Sequence, residues 1–117
     1  MLKLATALFA ASVLSFAQIG TSTITGRVTD PSGAIVPEVK VTVVHKGTNF
    51  TNSVATNTEG IFRVQSLQPG EYMVSFEAAG FKKIVRDGVE VRTGDTLAVD
   101  TTMQVGQVTE SIEVQGA

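Results

Sequence analysis

This chain has few side chains that could carry catalysis or bind a metal, since it contains one histidine, His45, and no cysteine. A zinc site needs several nitrogen, sulfur or carboxylate ligands, and His45 has no second histidine or thiolate to join it. A Ser-His-acid triad would also depend on His45, and no Gly-x-Ser-x-Gly sequence surrounds any serine. We therefore predict no catalytic residue and no metal site, and we expect His45 to be a solvated residue at the end of a strand.

Two polar segments resemble the start of a calcium loop, one around Asp30, Ser32 and Gly33 and the other at residues 57–60. A calcium loop of the EF-hand type needs twelve residues with at least five oxygen ligands, and neither segment supplies them. Aspartate, asparagine and glycine are also the residues that reverse the chain between strands. We interpret both segments as turns, and we predict no cofactor, because no glycine-rich segment is followed by the Lys-Ser/Thr pair of a phosphate loop.

The charge of the chain argues against nucleic-acid binding. Nine Lys and Arg residues oppose eleven Asp and Glu residues, for a net charge of −2. The basic residues are scattered, and Lys82 and Lys83 are the only adjacent pair. Nucleic-acid binders cluster such residues on one face, so we predict no nucleic-acid partner.

The first 17 residues have the pattern of a cleavable signal peptide. Lys3 supplies a positive charge, residues 4–14 form an apolar run, and small residues at Ser15 and Ala17 fit the A-x-A pattern that signal peptidase requires. The apolar run is about half the ~20 residues that a membrane-spanning helix needs. We predict export, cleavage between Ala17 and Gln18, and a single domain over residues 18–117.

Beyond the leader, apolar residues recur at every second position, which is the period of a strand with one buried face. Clear runs lie at residues 24–28, 39–43, 62–64, 72–76, 89–91, 97–99 and 112–114, and a looser candidate lies at 51–56. Turn-forming residues separate them at 30–33, 57–60, 68–70, 87–88 and 93–95. Short strands with such turns and no helical spacing predict an all-β fold, a single antiparallel β-sandwich of about seven strands.

Five segments, at residues 24–33, 35–43, 56–62, 67–72 and 78–81, resemble in content and order the carboxypeptidase regulatory-like domains, which are relatives of the transthyretin-like and Cna-B-type sandwiches. The resemblance implies a transthyretin-like fold over about residues 22–115. It also implies a set of fold residues rather than catalytic ones. These are Gly26, Gly60, Phe62, Pro69, Gly70, Tyr72, Gly80 and Phe81.

A signal peptide followed directly by this domain resembles the beginning of TonB-dependent-receptor-like outer-membrane proteins. That context implies a non-catalytic module in the periplasm, at the outer membrane or secreted, which contacts other domains or envelope proteins through loops and strand edges. The alternative is a carbohydrate-binding module, because starch-binding-like domains share the general fold. The chain has no Trp, and Phe50 is the one aromatic residue beyond the leader that we expect to be exposed, so any carbohydrate binding should be weak.

Overall fold

The computed structural model describes residues 21–116, which form two β-sheets packed as a sandwich. The all-β sandwich predicted from the sequence is confirmed. Within the described residues there is no helix long and apolar enough to cross a membrane. The nine strands are β1 (Ser22–Thr29), β2 (Lys40–His45), β3 (Thr51–Ala55), β4 (Ile61–Leu67), β5 (Gly70–Glu77), β6 (Lys83–Val91), β7 (Thr96–Ala98), β8 (Thr101–Thr102) and β9 (Ser111–Gln115).

The first sheet has the order β4-β1-β7, with β8 also paired to β1, and the second has the order β3-β2-β5-β6-β9. The β1-β4, β2-β3, β2-β5 and β5-β6 pairs are antiparallel. The pairs that β1 forms with β7 and β8, and the β6-β9 pair, are parallel. Alternation of apolar residues marks which face of a strand is buried and carries no information on strand direction, so these parallel pairs were not predicted.

The core lies between the sheets and follows the alternation seen in the sequence. Ile24 and Val28 of β1, and Tyr72, Val74 and Phe76 of β5, are all buried. Phe62 of β4 is 1% exposed, and its ring meets Phe76 edge to face, with the centroids 5.6 Å apart. This aromatic contact joins the two sheets.

Gly26 lies in the middle of β1. A Cβ at this position would overlap the carbonyl of Val99 and the ring of Phe62. A glycine here lets the backbone of β1 approach the Phe62 ring, so the position requires a residue without a side chain.

The remaining fold residues lie at strand ends. Gly60 is buried in the turn before β4, and Gly80 lies in the turn after β5. Phe81 is half-buried against the edge of the core and forms an isolated bridge with Val105. These residues therefore surround the sandwich at several places and do not form one site.

The segment Asp87-Gly88 does not reverse the chain, and the turn predicted there is wrong. It lies inside β6, where the register with β5 shifts between the pairs Tyr72-Val89 and Val74-Arg86. Two residues of β6 therefore oppose one residue of β5, which is a β-bulge, and Gly88 adopts a positive φ of 70° within it. Bulges and turns both use glycine because it adopts a positive φ, so composition alone does not distinguish a bulge from a turn.

Candidate functional site

A cleft of about 440 Å³ opens at one end of the sandwich, between the β2-β3 turn and the β4-β5 connection. Its size falls within the ~300–1,000 Å³ typical of ligand sites. The lining residues are His45, Thr48, Phe50, Ser66, Gln68 and Tyr72. In the sequence these residues lie in three separate segments, which the fold brings together.

His45 organises the floor of the cleft. Its Nδ1 accepts hydrogen bonds from the backbone N–H groups of Gly47, at 3.1 Å, and Thr48, at 3.2 Å. Its Nε2 lies 3.0 Å from the carbonyl oxygen of Pro69. Because Nδ1 faces two donors and Nε2 faces an acceptor, these partners fix the neutral tautomer with the proton on Nε2. His45 ends β2, as predicted, but it is only partly solvated, because its ring is half-buried and ties two loops together.

The His45 ring also explains the glycine at position 70. A Cβ on Gly70 would overlap Nε2 of His45, and Gly70 has a φ of 143°, in the region that favours glycine. The His45 ring also contacts Tyr72 edge to face, with the centroids 4.9 Å apart and the planes at 86°. His45 and the Pro69-Gly70 pair therefore form one packed unit, a role of His45 that sequence reasoning missed.

Tyr72 completes this unit from the core side. The residue is fully buried, and its hydroxyl donates a 2.6 Å hydrogen bond to the carbonyl oxygen of Gln68. Burial raises the pKa of the Tyr72 hydroxyl above its ordinary value. The tyrosine therefore serves as a neutral donor that holds the β4-β5 connection in place.

The rim of the cleft contains two residues with unusual backbone conformations. Asn49 has a φ of 61° and Ser66 a φ of 62°, in the left-handed region that residues other than glycine rarely adopt. Ser66 lies in a bulge of β4, where the register with β1 shifts between Ser22 and Ile24. Such outliers and bulges concentrate next to binding sites, because the surrounding structure must hold them.

Phe50 lies beside this rim with 52% of its surface exposed. Its backbone N–H lies 3.3 Å from the hydroxyl oxygen of Thr48. The lining offers the exposed ring of Phe50, the buried ring of Tyr72, three hydroxyls, an amide and a neutral imidazole, with no charged side chain. This arrangement suits contact with a neutral group and supplies no acid, base or nucleophile pair.

A charged cluster lies outside the cleft and links the turn after β2 to strands β5 and β6. The ammonium group of Lys46 lies 3.2 Å from Glu71 and 2.5 Å from Asp87. The hydrogen bonds that Lys46 donates to Asp87 and Glu71 raise the pKa of Lys46, and the bond from Lys46 lowers the pKa of Asp87. All three side chains are more than a third exposed. Solvent therefore weakens the attraction between their charges, and the cluster is a surface interaction.

The two turns that resemble calcium loops use their polar side chains internally. The Asp30 carboxylate accepts hydrogen bonds from the Ser32 N–H and hydroxyl and from the Ala34 N–H. The side-chain amide oxygen of Asn57 accepts from the N–H groups of Glu59 and Ile61. Across residues 21–116, no group of three or more His, Asp or Glu side chains is placed to hold a metal ion.

The predicted signal peptidase site at Ala17 and Gln18 lies outside the described residues. Export and cleavage therefore stay predictions.

Within residues 21–116 the second sheet has two outer edges, and the one formed by β3 lies beside the cleft. Phe50, which lines the cleft, directly precedes the first residue of this strand, Thr51. The cleft and the edge are therefore continuous along the chain.

Comparisons with known proteins agree with this architecture. A family model of carboxypeptidase regulatory-like domains matches residues 23–104. The TonB-dependent transporter Oar of Myxococcus xanthus is 32% identical over 104 residues, an alignment that covers 88% of this chain and 10% of the transporter. The chain thus spans about one tenth of the length of that relative.

Three solved structures share the fold at low identity. The TIE protein of Bacillus anthracis matches with a TM-score of 0.63 and 21% identity, over 74% of this chain and 17% of that one. A candidate carbohydrate-binding protein of Bacteroides uniformis matches with 0.58 and 19%, over 70% and 40%. Catechol 1,2-dioxygenase of an Acinetobacter species matches with 0.62 and 15%, over 86% and 60%. At these identities the likeness concerns the fold alone.

Proposed function

We propose that this chain, which belongs to the family of carboxypeptidase regulatory-like domains, is an exported, non-catalytic module that supports or joins other parts of a cell-envelope protein. The observation that carries this proposal is the relationship to a TonB-dependent transporter, of which the chain matches only one tenth. We expect a domain that makes up so small a share of a long protein to act through contacts of its surface and strand edges with the other domains. The predicted signal peptide supports a place in the periplasm, at the outer membrane or outside the cell.

The absence of enzyme activity is part of this proposal. The cleft contains one imidazole, and both of its nitrogens are engaged by backbone groups. A general base needs a free nitrogen within reach of a substrate proton, and His45 offers none without breaking the turn that it holds. The likeness to a dioxygenase, at 15% identity, concerns the fold alone and does not assign a set of ligand residues to this chain.

The proposal is tested by locating the native protein in its own cells. An antibody raised against the recombinant chain is used on blots of cytoplasmic, periplasmic and outer-membrane fractions. We expect the signal outside the cytoplasm, on a polypeptide much larger than the 12.3 kDa of this chain. A species near that mass that stays in the cytoplasm would refute both the export and the membership of a larger envelope protein.

A second candidate function is carbohydrate binding, which the exposed ring of Phe50 above a neutral, hydroxyl-lined cleft favours. Sugar rings stack on aromatic faces, and the hydroxyls and the amide of the cleft match the polar rim of a pyranose. One phenylalanine is a small platform, so we expect a dissociation constant no tighter than about 1 mM, equivalent to about 4 kcal/mol.

Calorimetric titration of the purified chain with glucan and chitin oligomers measures this affinity. Phe50→Ala is the matched variant, because it removes the platform and leaves the sheets intact. A micromolar affinity that disappears in Phe50→Ala would place carbohydrate binding ahead of the interaction module.

A further inference from the structure

We propose that the free edge of β3, together with the cleft at its beginning, is a docking site for one extended, uncharged polypeptide segment that joins the sheet as an extra strand. This inference rests on the proposed non-catalytic function and names the surface and the kind of partner that it would use.

Among the described residues, the hydrogen-bond pattern identifies which backbone groups of β3 have no partner strand. In the β2-β3 pair, the His45 N–H donates to the carbonyl of Phe50, and the Thr56 N–H donates to the carbonyl of Val39. Bonded and non-bonded pairs alternate along an antiparallel ladder, so residues 50, 52, 54 and 56 face β2. The intervening residues Thr51, Ser53 and Ala55 direct their N–H and C=O groups away from β2, where a further strand would pair.

The β3 edge lacks the features with which proteins protect exposed edges. Its sequence, Thr-Asn-Ser-Val-Ala, contains no charge and no proline. Among the other outer strands, β4 carries Arg63 and β9 carries Glu113, and the uncharged β7 and β8 are only three and two residues long. Charged residues on an edge discourage strand addition, so β3 is the edge most open to a partner.

The cleft gives this edge a means of selecting its partner. A segment paired along β3 would pass Phe50 and bring one side chain over the cleft, in the way that strand-adding domains combine a backbone ladder with a side-chain pocket. The cleft is held in shape before binding by the hydrogen bonds of His45 and Tyr72. A pocket that is already ordered loses less entropy when it is occupied.

The lack of charge defines the occupant. Neither β3 nor the cleft lining contains an Asp, Glu, Lys or Arg residue. A charged side chain in the docked segment would lose water without gaining an ion pair, which penalises charged segments. The residue facing the cleft should therefore be neutral, and the segment should be extended over about the five residues of β3.

A displayed library of random ten-residue peptides, selected on the purified full chain, tests the proposal. Ser53→Pro is the blocking variant, because the Ser53 N–H has no bond to β2 and proline is tolerated at such an edge position. Ser53→Ala is the matched control, because it removes the hydroxyl and keeps the N–H. Selected peptides should be uncharged, and their affinity should fall at least about tenfold in Ser53→Pro and stay unchanged in Ser53→Ala.

If Ser53→Pro does not fold, Ala55→Lys replaces it, since a lysine on an exposed edge discourages pairing while leaving the β2 ladder intact. Phe50→Ala should also weaken the selected peptides, because Phe50 lines the cleft that forms part of the proposed site. Amide exchange by NMR locates the contact: the peptide should protect the N–H groups of Thr51, Ser53 and Ala55.

Three outcomes overturn the proposal. They are an absence of enriched peptides, binding that Ser53→Pro leaves unchanged, and protection that appears on β9. Two further results would also overturn the proposal. Self-association of the chain through β3, detected by sedimentation, would assign the edge to a second copy, and micromolar glucan binding would assign the cleft to a sugar. The location of the native protein in the envelope is measured separately, so failure of peptide binding leaves the proposed function standing.

Discussion

Replacement of Phe62 by alanine tests the packing of the sandwich. The Phe62 side chain is 1% exposed and lies against the ring of Phe76 and the backbone of Gly26. The neighbouring β1 backbone is held in both directions, by β4 on one side and by β7 and β8 on the other, so it cannot collapse into the space that the ring leaves. A buried Phe→Ala replacement of this kind costs about 3–5 kcal/mol.

That cost is large against the ~5–15 kcal/mol that holds a domain of this size together. Phe50→Ala is the matched control, since it makes the same chemical change at a side chain that is 52% exposed. Exposed positions of this kind change the free energy of unfolding by about 0.5 kcal/mol, and we expect the control to lose less than about 1 kcal/mol.

Urea unfolding of the two variants and the wild-type chain measures both losses from the midpoints and slopes. A loss below about 1 kcal/mol for Phe62→Ala, or equal losses for the two variants, would refute the packing described for this core.

Three further predictions concern pH and processing. Lys46 lowers the pKa of Asp87, so its stabilising effect is present above the ordinary aspartate pKa and is lost as the pH falls through the folded value. The difference in melting temperature between wild type and Asp87→Asn should therefore shrink in acid. The pKa of Tyr72 is raised, so the folded state is stabilised below the ordinary tyrosine pKa and loses that contribution as the pH rises beyond it. Tyr72→Phe should be less stable at neutral pH by about 1 kcal/mol and should lose less stability in alkali than wild type. N-terminal sequencing of exported protein should begin at Gln18, and an intact Met1 on a cytoplasmic protein would contradict the predicted cleavage.

The fold could be predicted from the sequence because its signals are local. Alternation of apolar residues placed Phe62 and Tyr72 on inward faces without any knowledge of which strands pair. The bulge at Asp87-Gly88 was taken for a turn because both structures favour the same residue types. Its position depends on the register between β5 and β6, which is set by contacts far apart in sequence.

The candidate site could not be predicted because its residues meet only in the folded chain. We interpreted His45 from the lack of further metal ligands in the sequence. Its hydrogen-bond partners are backbone groups of residues 47, 48 and 69, and no side-chain pattern in the sequence indicates such contacts. Phe50 was identified as the exposed aromatic residue. Its place beside Ser66 and the open edge of β3 depends on how the two sheets meet at that end.

Photo-crosslinking in living cells tests most directly whether this module works through its β3 edge. A photoreactive phenylalanine analogue replaces Ser53 on β3 or, as the control, Glu113 on β9, in the full protein. We expect a discrete crosslinked polypeptide from position 53 and none from position 113. Crosslinks of equal strength from both positions, or from position 113 alone, would contradict the account.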